Sequence, residues 1–266
     1  MQNNFQSPGD VAFVLFNMPV YWYGIIMAVG IFTGFLSAYL LYKKFYDREK
    51  ANHIFDFAPA VILTGIIGAR LYYCLVNLPY YIGHPAEVFY IRQGGLSIHG
   101  MIIAGLAALY FYSKKYKMPF LKLFDVFLCS SALAQSVGRW GNFFNSEAFG
   151  YPTDLPWKLY IPVTNRPLMF INYEYFHPAF LYESILDFCV FIILLIYFKR
   201  FSKTPGITSG LYFILYSIVR IFVEHFRIDG SLYIKGVPIA QIVSIFMFLC
   251  GLTLLYLINK NRKISN

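Results

Sequence analysis

The chain has 266 residues, of which 58% are hydrophobic and 13% charged, whereas soluble domains carry about 25% charged residues. So few charges cannot cover a water-exposed fold of this size, which excludes a cytosolic enzyme and identifies an integral membrane protein. The excess of 22 basic over 13 acidic residues raises nucleic acid as a partner, a reading that the positions of those residues must decide.

A helix needs roughly 20 apolar residues to cross the hydrocarbon core, and the chain offers seven such runs. The first, at about 19–42, carries Tyr23 near its start. It lacks a basic segment before it and has Lys43 and Lys44 behind it, so it reads as a retained span and not as a cleaved signal. The second, at about 53–77, carries Arg70 near its end, and the third, at about 95–112, carries His99 near its start. The fourth, at about 122–144, closes on Arg139. An outer loop at about 145–178 follows, rich in Pro and in aromatic residues (Trp157, Tyr160, Phe170, Tyr173) that suit the membrane interface. The fifth run, at about 179–198, begins near Glu183, the sixth, at about 207–227, holds Arg220, Glu224 and Arg227, and the seventh covers about 237–258. Cys74, Cys129, Cys189 and Cys250 lie in apolar stretches without metal-ligand or disulfide spacing and read as small buried hydrophobes.

Lys and Arg cluster at Lys43, Lys44, Arg48 and Lys50, at Lys114, Lys115, Lys117 and Lys122, at Lys199, Arg200 and Lys203, and at Lys260, Arg262 and Lys263. These are alternate loops and the C-terminal tail. The positive-inside rule then predicts an all-α polytopic fold of seven transmembrane helices, N-terminus outside and C-terminus cytoplasmic, with residues 1–266 forming a single transmembrane domain. Topology accounts for most of the basic residues, and nucleic acid falls away as a partner.

The charges inside the runs need another reason, since each costs about 3 kcal/mol on insertion scales. In the predicted topology Tyr23, Arg70, His99, Arg139, Glu183 and Arg220 all fall near the outer leaflet. In the sixth run Arg220, Glu224 and Arg227 are spaced i, i+4, i+7, which predicts one shared helix face. Two readings stand: arginines snorkelling from helix ends, or a site for a phosphate, which guanidinium forks match. The commonest phosphate at that depth is a lipid headgroup.

The segment Gly138-Arg-Trp-Gly-Asn-Phe-Phe-Asn-Ser-Glu-Ala-Phe-Gly150 is too polar and glycine-rich for a plain lipid-facing helix, and it marks a cavity wall. It closely resembles the signature of bacterial prolipoprotein diacylglyceryl transferases, GR-x-GNF-x-N-x-E-x-x-G. The resemblance extends along nearly the whole chain: Trp22-Tyr23-Gly24, Gly68-Ala69-Arg70-Leu71, Gly94 to Gly100 around His99, His177-Pro178 with Leu181-Tyr182-Glu183, and Ser209-Gly210-Leu211 leading to Arg220, Val223-Glu224 and Phe226-Arg227 resemble that family's other motifs in order. Met101 stands where the family often has a second glycine, and Tyr151 where a basic residue is common.

The resemblance implies transfer of the sn-1,2-diacylglyceryl group of phosphatidylglycerol to the lipobox cysteine thiol of a prolipoprotein, with release of glycerol phosphate. The partners are those two substrates and membrane lipid, with no cofactor and no metal, and the setting is the bacterial plasma membrane with the active site facing the outer leaflet. Arg139 and Arg220 are expected to hold the phosphate and leaving group. His99 is expected to take the thiol proton, because imidazole titrates near neutrality. Tyr23, Arg70, Asn142, Glu147, Gly150 and Glu224 are expected to bind substrate. Blander roles stand beside these: His99 as a hydrogen-bonding partner, Tyr23 as part of the aromatic belt, Glu183 and the Arg220/Glu224 pair as structural. His53, His84 and His225 match no motif. The alternative function is a transporter or flippase for an anionic lipid or solute. An intramembrane protease ranks last, since no protease motif occurs.

Overall fold

In a computed structural model the structure describes residues 5–91, 94–228, 233–234 and 236–265. Helices dominate. They are α1 (Trp22–Phe45), α2 (His53–Val76), the short α3 (Leu78–Gly83), α4 (Ile98–Lys115), α5 (Phe120–Phe144), α6 (Ala179–Phe201), α7 (Ile207–Glu224) and α8 (Ile239–Ser265). Among the described residues three two-stranded antiparallel pairs punctuate them: β1 (Val11–Leu15) with β2 (Met18–Tyr21), β3 (Leu159–Tyr160) with β4 (Tyr175–Phe176), and β5 (Tyr233–Ile234) with β6 (Val237–Pro238). Among the described residues six helices are long and apolar enough to cross a membrane, namely α1, α2 and α5 to α8. The third expected span corresponds to α4, whose 18 residues include His99, Lys114 and Lys115 and so fall short in apolar length.

Several details of the helices differ from the sequence expectation. Residues 18–21 are strand, so the first helix starts at Trp22. The third starts at Ile98 because Gly94 and Gly95 adopt φ of +90° and +70°, the left-handed region that glycine tolerates. The sixth ends at Glu224, which takes Arg227 off the face it was expected to share with Arg220. The signature segment is helical as far as Phe144 and irregular only beyond it. Cys74 and Cys129 are buried as expected, but Cys189 is exposed and Cys250 only partly covered.

The chain divides into two compact units, residues 1–37 with 127–266 and residues 38–126. In the first, α1 meets α5 through small residues: a Cβ added at Gly30 or Gly34 would lie 3.1 Å from Ala134, and Ser130 donates to Ser37 at 3.0 Å. Close backbone approach of this kind substitutes packing and hydrogen bonds for a hydrophobic drive that lipid does not supply. Gly210 and Gly251 join α7 to α8 similarly, each too near the other helix for a Cβ without displacement. The connection after α5 has a core of its own, with Ala148, Phe149, Leu159, Ile161, Phe176 and Phe180 all at most 2% exposed. Arg166 braces it by donating to the Ile161 and Ile171 carbonyls at 2.8 and 3.1 Å.

In the second unit α2 and α4 pack backbone to backbone. A Cβ at Gly100 would overlap the Gly68 carbonyl oxygen, and one at Gly68 would strike Ala104. Lys50 and Tyr112 close the opposite end by donating to the carbonyls of Lys117 and His53.

Candidate functional site

Three helices of the first unit converge on one carboxylate. Ser136 of α5 donates to the Ser184 carbonyl of α6 and Ser184 donates back to the Ser136 carbonyl, both at 2.8 Å. Arg139 stands one turn beyond Ser136 and Glu183 one residue before Ser184, so this clamp delivers Arg139 Nη2 to Glu183 Oε1. From α7, Arg220 reaches the same oxygen with Nη1 at 3.4 Å and holds Glu224 Oε2 with Nη2 at 2.7 Å. Glu183 is fully buried, whereas the side chains of Arg139 and Arg220 are 21% and 15% exposed. The carboxylates thus lie inside and the cations nearer the edge, an arrangement that neutralises the desolvated charges.

The second half of the signature forms a turn above these pairs. After α5 ends, Ser146 and Ala148 both take φ of +54°, and Glu147 donates its N–H to the Asn142 carbonyl at 2.9 Å. Asn142 and Asn145 each donate to the Glu147 carboxylate at 3.4 Å. A cavity of about 750 Å³ opens here, lined by Tyr23, Glu147 and Asn145 together with Asp10 and Asn165. Arg139 and Arg220 are not among its lining residues. Gly141 is required by Tyr23, whose ring would stand 2.9 Å from an added Cβ. Gly150 is closely packed: it bridges to Arg227, donates to the His177 carbonyl at 2.8 Å, and would put a Cβ 2.7 Å from the Phe226 oxygen.

His177 of the same region lies 3.0 Å from the Tyr182 hydroxyl, which also accepts from Trp157 Nε1 at 2.9 Å. Burial pushes the His177 imidazole below its ordinary value, because the charged form loses solvation.

Arg70 and His99 belong to the second unit. Arg70 is 6% exposed and gives its guanidinium to main chain: Nε to Val88 O at 2.9 Å, Nη1 to Gly94 O and Gly95 O at 2.9 and 3.1 Å, and Nη2 to Glu87 O. Four carbonyls on one cation leave little of the fork for a phosphate, so this arginine shapes the segment leading into α4. His99, the second residue of α4, is exposed, with Nδ1 3.5 Å from Ser97 Oγ and its ring 5.9 Å from that of Tyr72.

Sequence reasoning undervalued two residues. Glu183, read there as structural, is the shared acceptor of both arginines. Asp187, not singled out at all, is equally buried one turn further along α6. Two carboxylates at i, i+4 within an apolar run were the available signal. Among the described residues no group of three His, Cys, Asp or Glu side chains is placed to hold a metal ion.

A sequence model of the family described as prolipoprotein diacylglyceryl transferase matches residues 10–257. Relatives named phosphatidylglycerol–prolipoprotein diacylglyceryl transferase agree along the chain. That of Prochlorococcus marinus (strain MIT 9301) is 40% identical over 97% of both chains. That of a Synechocystis species is 41% identical over 97% of this chain and 93% of its own. That of Thermotoga petrophila is 44% identical over 87% and 78%, respectively.

Proposed function

The chain belongs to the prolipoprotein diacylglyceryl transferase family, and from that membership and the site geometry we propose how it moves the diacylglyceryl group of phosphatidylglycerol to a prolipoprotein. The acceptor is the thiol of the lipobox cysteine. Its thiolate attacks the glyceryl carbon that bears the phosphate, an S–C bond forms, the C–O bond breaks, and the phosphate oxygen leaves with the electron pair as glycerol phosphate. Membership in a transferase family replaces the transporter alternative.

The observation that carries the assignment is the pairing of Arg139 and Arg220 on Glu183 Oε1. Among the described residues Arg139 commits only Nη2 to an ion pair, which leaves its Nε and Nη1 edge for a phosphodiester. As the C–O bond breaks, charge on the phosphate rises, and fixed guanidiniums in a poorly solvated place stabilise that rise without reorganising. Glu183 and Glu224 hold the two forks in position. Tyr23, Asn142 and Glu147, at or beside the 750 Å³ cavity, serve the polar headgroup, with the Glu147 carboxylate oriented by Asn142 and Asn145 to accept from glycerol hydroxyls. Gly150 serves by its missing side chain and Arg70 by holding the segment before His99. His99 takes the thiol proton, an assignment supported by its motif and by imidazole chemistry.

We further propose that α4 is a seventh span, that the N-terminus lies outside and the C-terminus in the cytoplasm, and that the site opens to the outer leaflet of a bacterial plasma membrane. The basic residues that close α1, α4 and α6 (Lys43, Lys44, Lys114, Lys115, Lys199, Arg200) support that orientation. The decisive assay combines purified protein, phosphatidylglycerol and a lipobox peptide, read by mass spectrometry. A gain of one diacylglyceryl unit on the cysteine is expected; an unmodified peptide refutes the function.

A further inference from the structure

Arg139 of α5 and Arg220 of α7 meet at Glu183 Oε1, but the two contacts differ in strength. The one from Arg139 is backed by the Ser136–Ser184 clamp about one turn away. The one from Arg220 Nη1 is 3.4 Å long, too stretched to set where α7 stands. The other ion pair of Arg220 is to Glu224 of its own helix and so carries no register between helices. Lipid supplies no hydrophobic drive for helix association, so the place of Arg220 beside Arg139 needs a further tie between α7 and α5.

Tyr212 supplies one. Its side chain is buried on α7, and its hydroxyl donates to Gln135 Oε1 of α5 at 2.9 Å. Gln135 lies at i–4 from Arg139, and Tyr212 at i–8 from Arg220, so each end of the bond shares a helix face with one of the arginines. Tyr216 stands between Tyr212 and Arg220 and stacks on the Tyr212 ring, with centroids 5.6 Å apart and planes 6° apart. The anchored ring thus continues as a packed column towards Arg220. A phenol hydroxyl in an apolar interior is costly without an acceptor, which makes this bond persistent.

We propose that Tyr212 is a positioning residue for phosphatidylglycerol: its hydroxyl, held by Gln135, fixes α7 against α5 so that one phosphodiester meets the guanidiniums of both Arg139 and Arg220. Two forks on one anion demand closer placement than either alone, and a small shift of α7 separates them. The inference rests on the function proposed above, and it gives Tyr212 no contact with the reacting atoms.

Kinetics of the purified full-length protein test it. Tyr212→Phe removes one oxygen and keeps the ring on Tyr216, while Gln135→Met removes the acceptor and keeps the length of the side chain. In each, KM for phosphatidylglycerol should rise by roughly 3- to 18-fold, the range that interhelical hydrogen bonds in membranes span. KM for a lipobox peptide should stay within about twofold. The double variant should do no worse than the more damaged single one, because both delete the same bond. A merely structural tie would instead lower the amount of active protein, and with it the apparent kcat, with both KM values unchanged. That result overturns the proposal, as do single effects that multiply in the double variant. Ser130→Ala is the control, since it breaks the 3.0 Å bond from α5 to Ser37 of α1; an equal rise in KM there would show that any loosening of α5 suffices and would also overturn it. Should one variant fail to fold, the other carries the test, and loss of the fold in both would make the bond a folding element and overturn the positioning role. Binding of phosphatidylglycerol measured without peptide separates this inference from the function beneath it. Weaker binding in both variants, with no transfer by any of the proteins, would sink the transfer and leave the role of Tyr212 standing.

Discussion

Ser136 and Ser184 hydrogen-bond reciprocally, each hydroxyl donating to the other residue's carbonyl at 2.8 Å. The pair fixes α5 against α6 within one turn of Arg139 and beside Glu183, so a contact with no chemistry of its own sets the spacing of the charges. Ser136→Ala removes one of the two bonds. Interhelical hydrogen bonds in membranes are worth about 0.6 kcal/mol on average and up to about 1.7, and the loss expected here is of that size. Reversible unfolding in detergent measures it. A larger fall in kcat than in stability is also expected, because Arg139 loses its register; equal activity in the variant would show that the ion pairs alone hold the helices.

Arg139→Lys preserves the charge and can still meet Glu183, yet it cannot offer two parallel N–H groups to a phosphodiester. Transfer should fall by at least about a hundredfold while the protein stays inserted and extractable. Full activity in the lysine variant would mean that a positive field suffices and that the fork is irrelevant.

His99→Gln keeps a hydrogen-bonding side chain at the start of α4 and removes the imidazole. If His99 is the base, turnover should fall by roughly 10² to 10⁴, and the deficit should shrink near pH 8.5, where about half of an unperturbed thiol is already ionised. Rates would be compared from about pH 6.5 to 9. A deficit constant across that range would make His99 a partner of Ser97 and no more.

The positions of the helices were readable from apolar runs and basic flanks, and the cluster at Arg139 and Arg220 from charges that lipid would reject. Relations across helices were not readable. That Glu183 serves both arginines depends on how α5, α6 and α7 meet, which no periodicity encodes. Arg70 was expected to bind substrate, and the sequence could not show the acceptors it holds, because all four are main-chain carbonyls. Arg227 looked like a continuation of the Arg220 face because its i+7 spacing is helical; the helix stops at Glu224, and the following residues pair with Gly150 and Tyr151 instead.

His177 supplies a pH dependence outside the membrane helices. Its folded-state value lies below the ordinary one, so the unfolded chain binds the proton more readily. The stabilisation from neutral His177 is complete above its ordinary value of 6.5 and is lost as pH falls through the lower folded value. Thermal stability should therefore decline on acidification from about pH 7.5 to 5, and His177→Gln should flatten part of that decline. Melting curves that stay parallel for the two proteins would place the acid sensitivity elsewhere.

Gly150 donates to the carbonyl of His177, and Tyr151 to that of Phe226. The first of these bonds joins residues that are both made ahead of α7, whereas the second waits for the residues that follow it. A chain ending ahead of α7 would hold Arg139, Glu183 and the turn around Glu147, and would lack Arg220 and the Phe226 carbonyl to which Tyr151 donates. The order of the chain thus puts the second guanidinium and the last tie on the signature segment within seven residues of each other, so that both are supplied together.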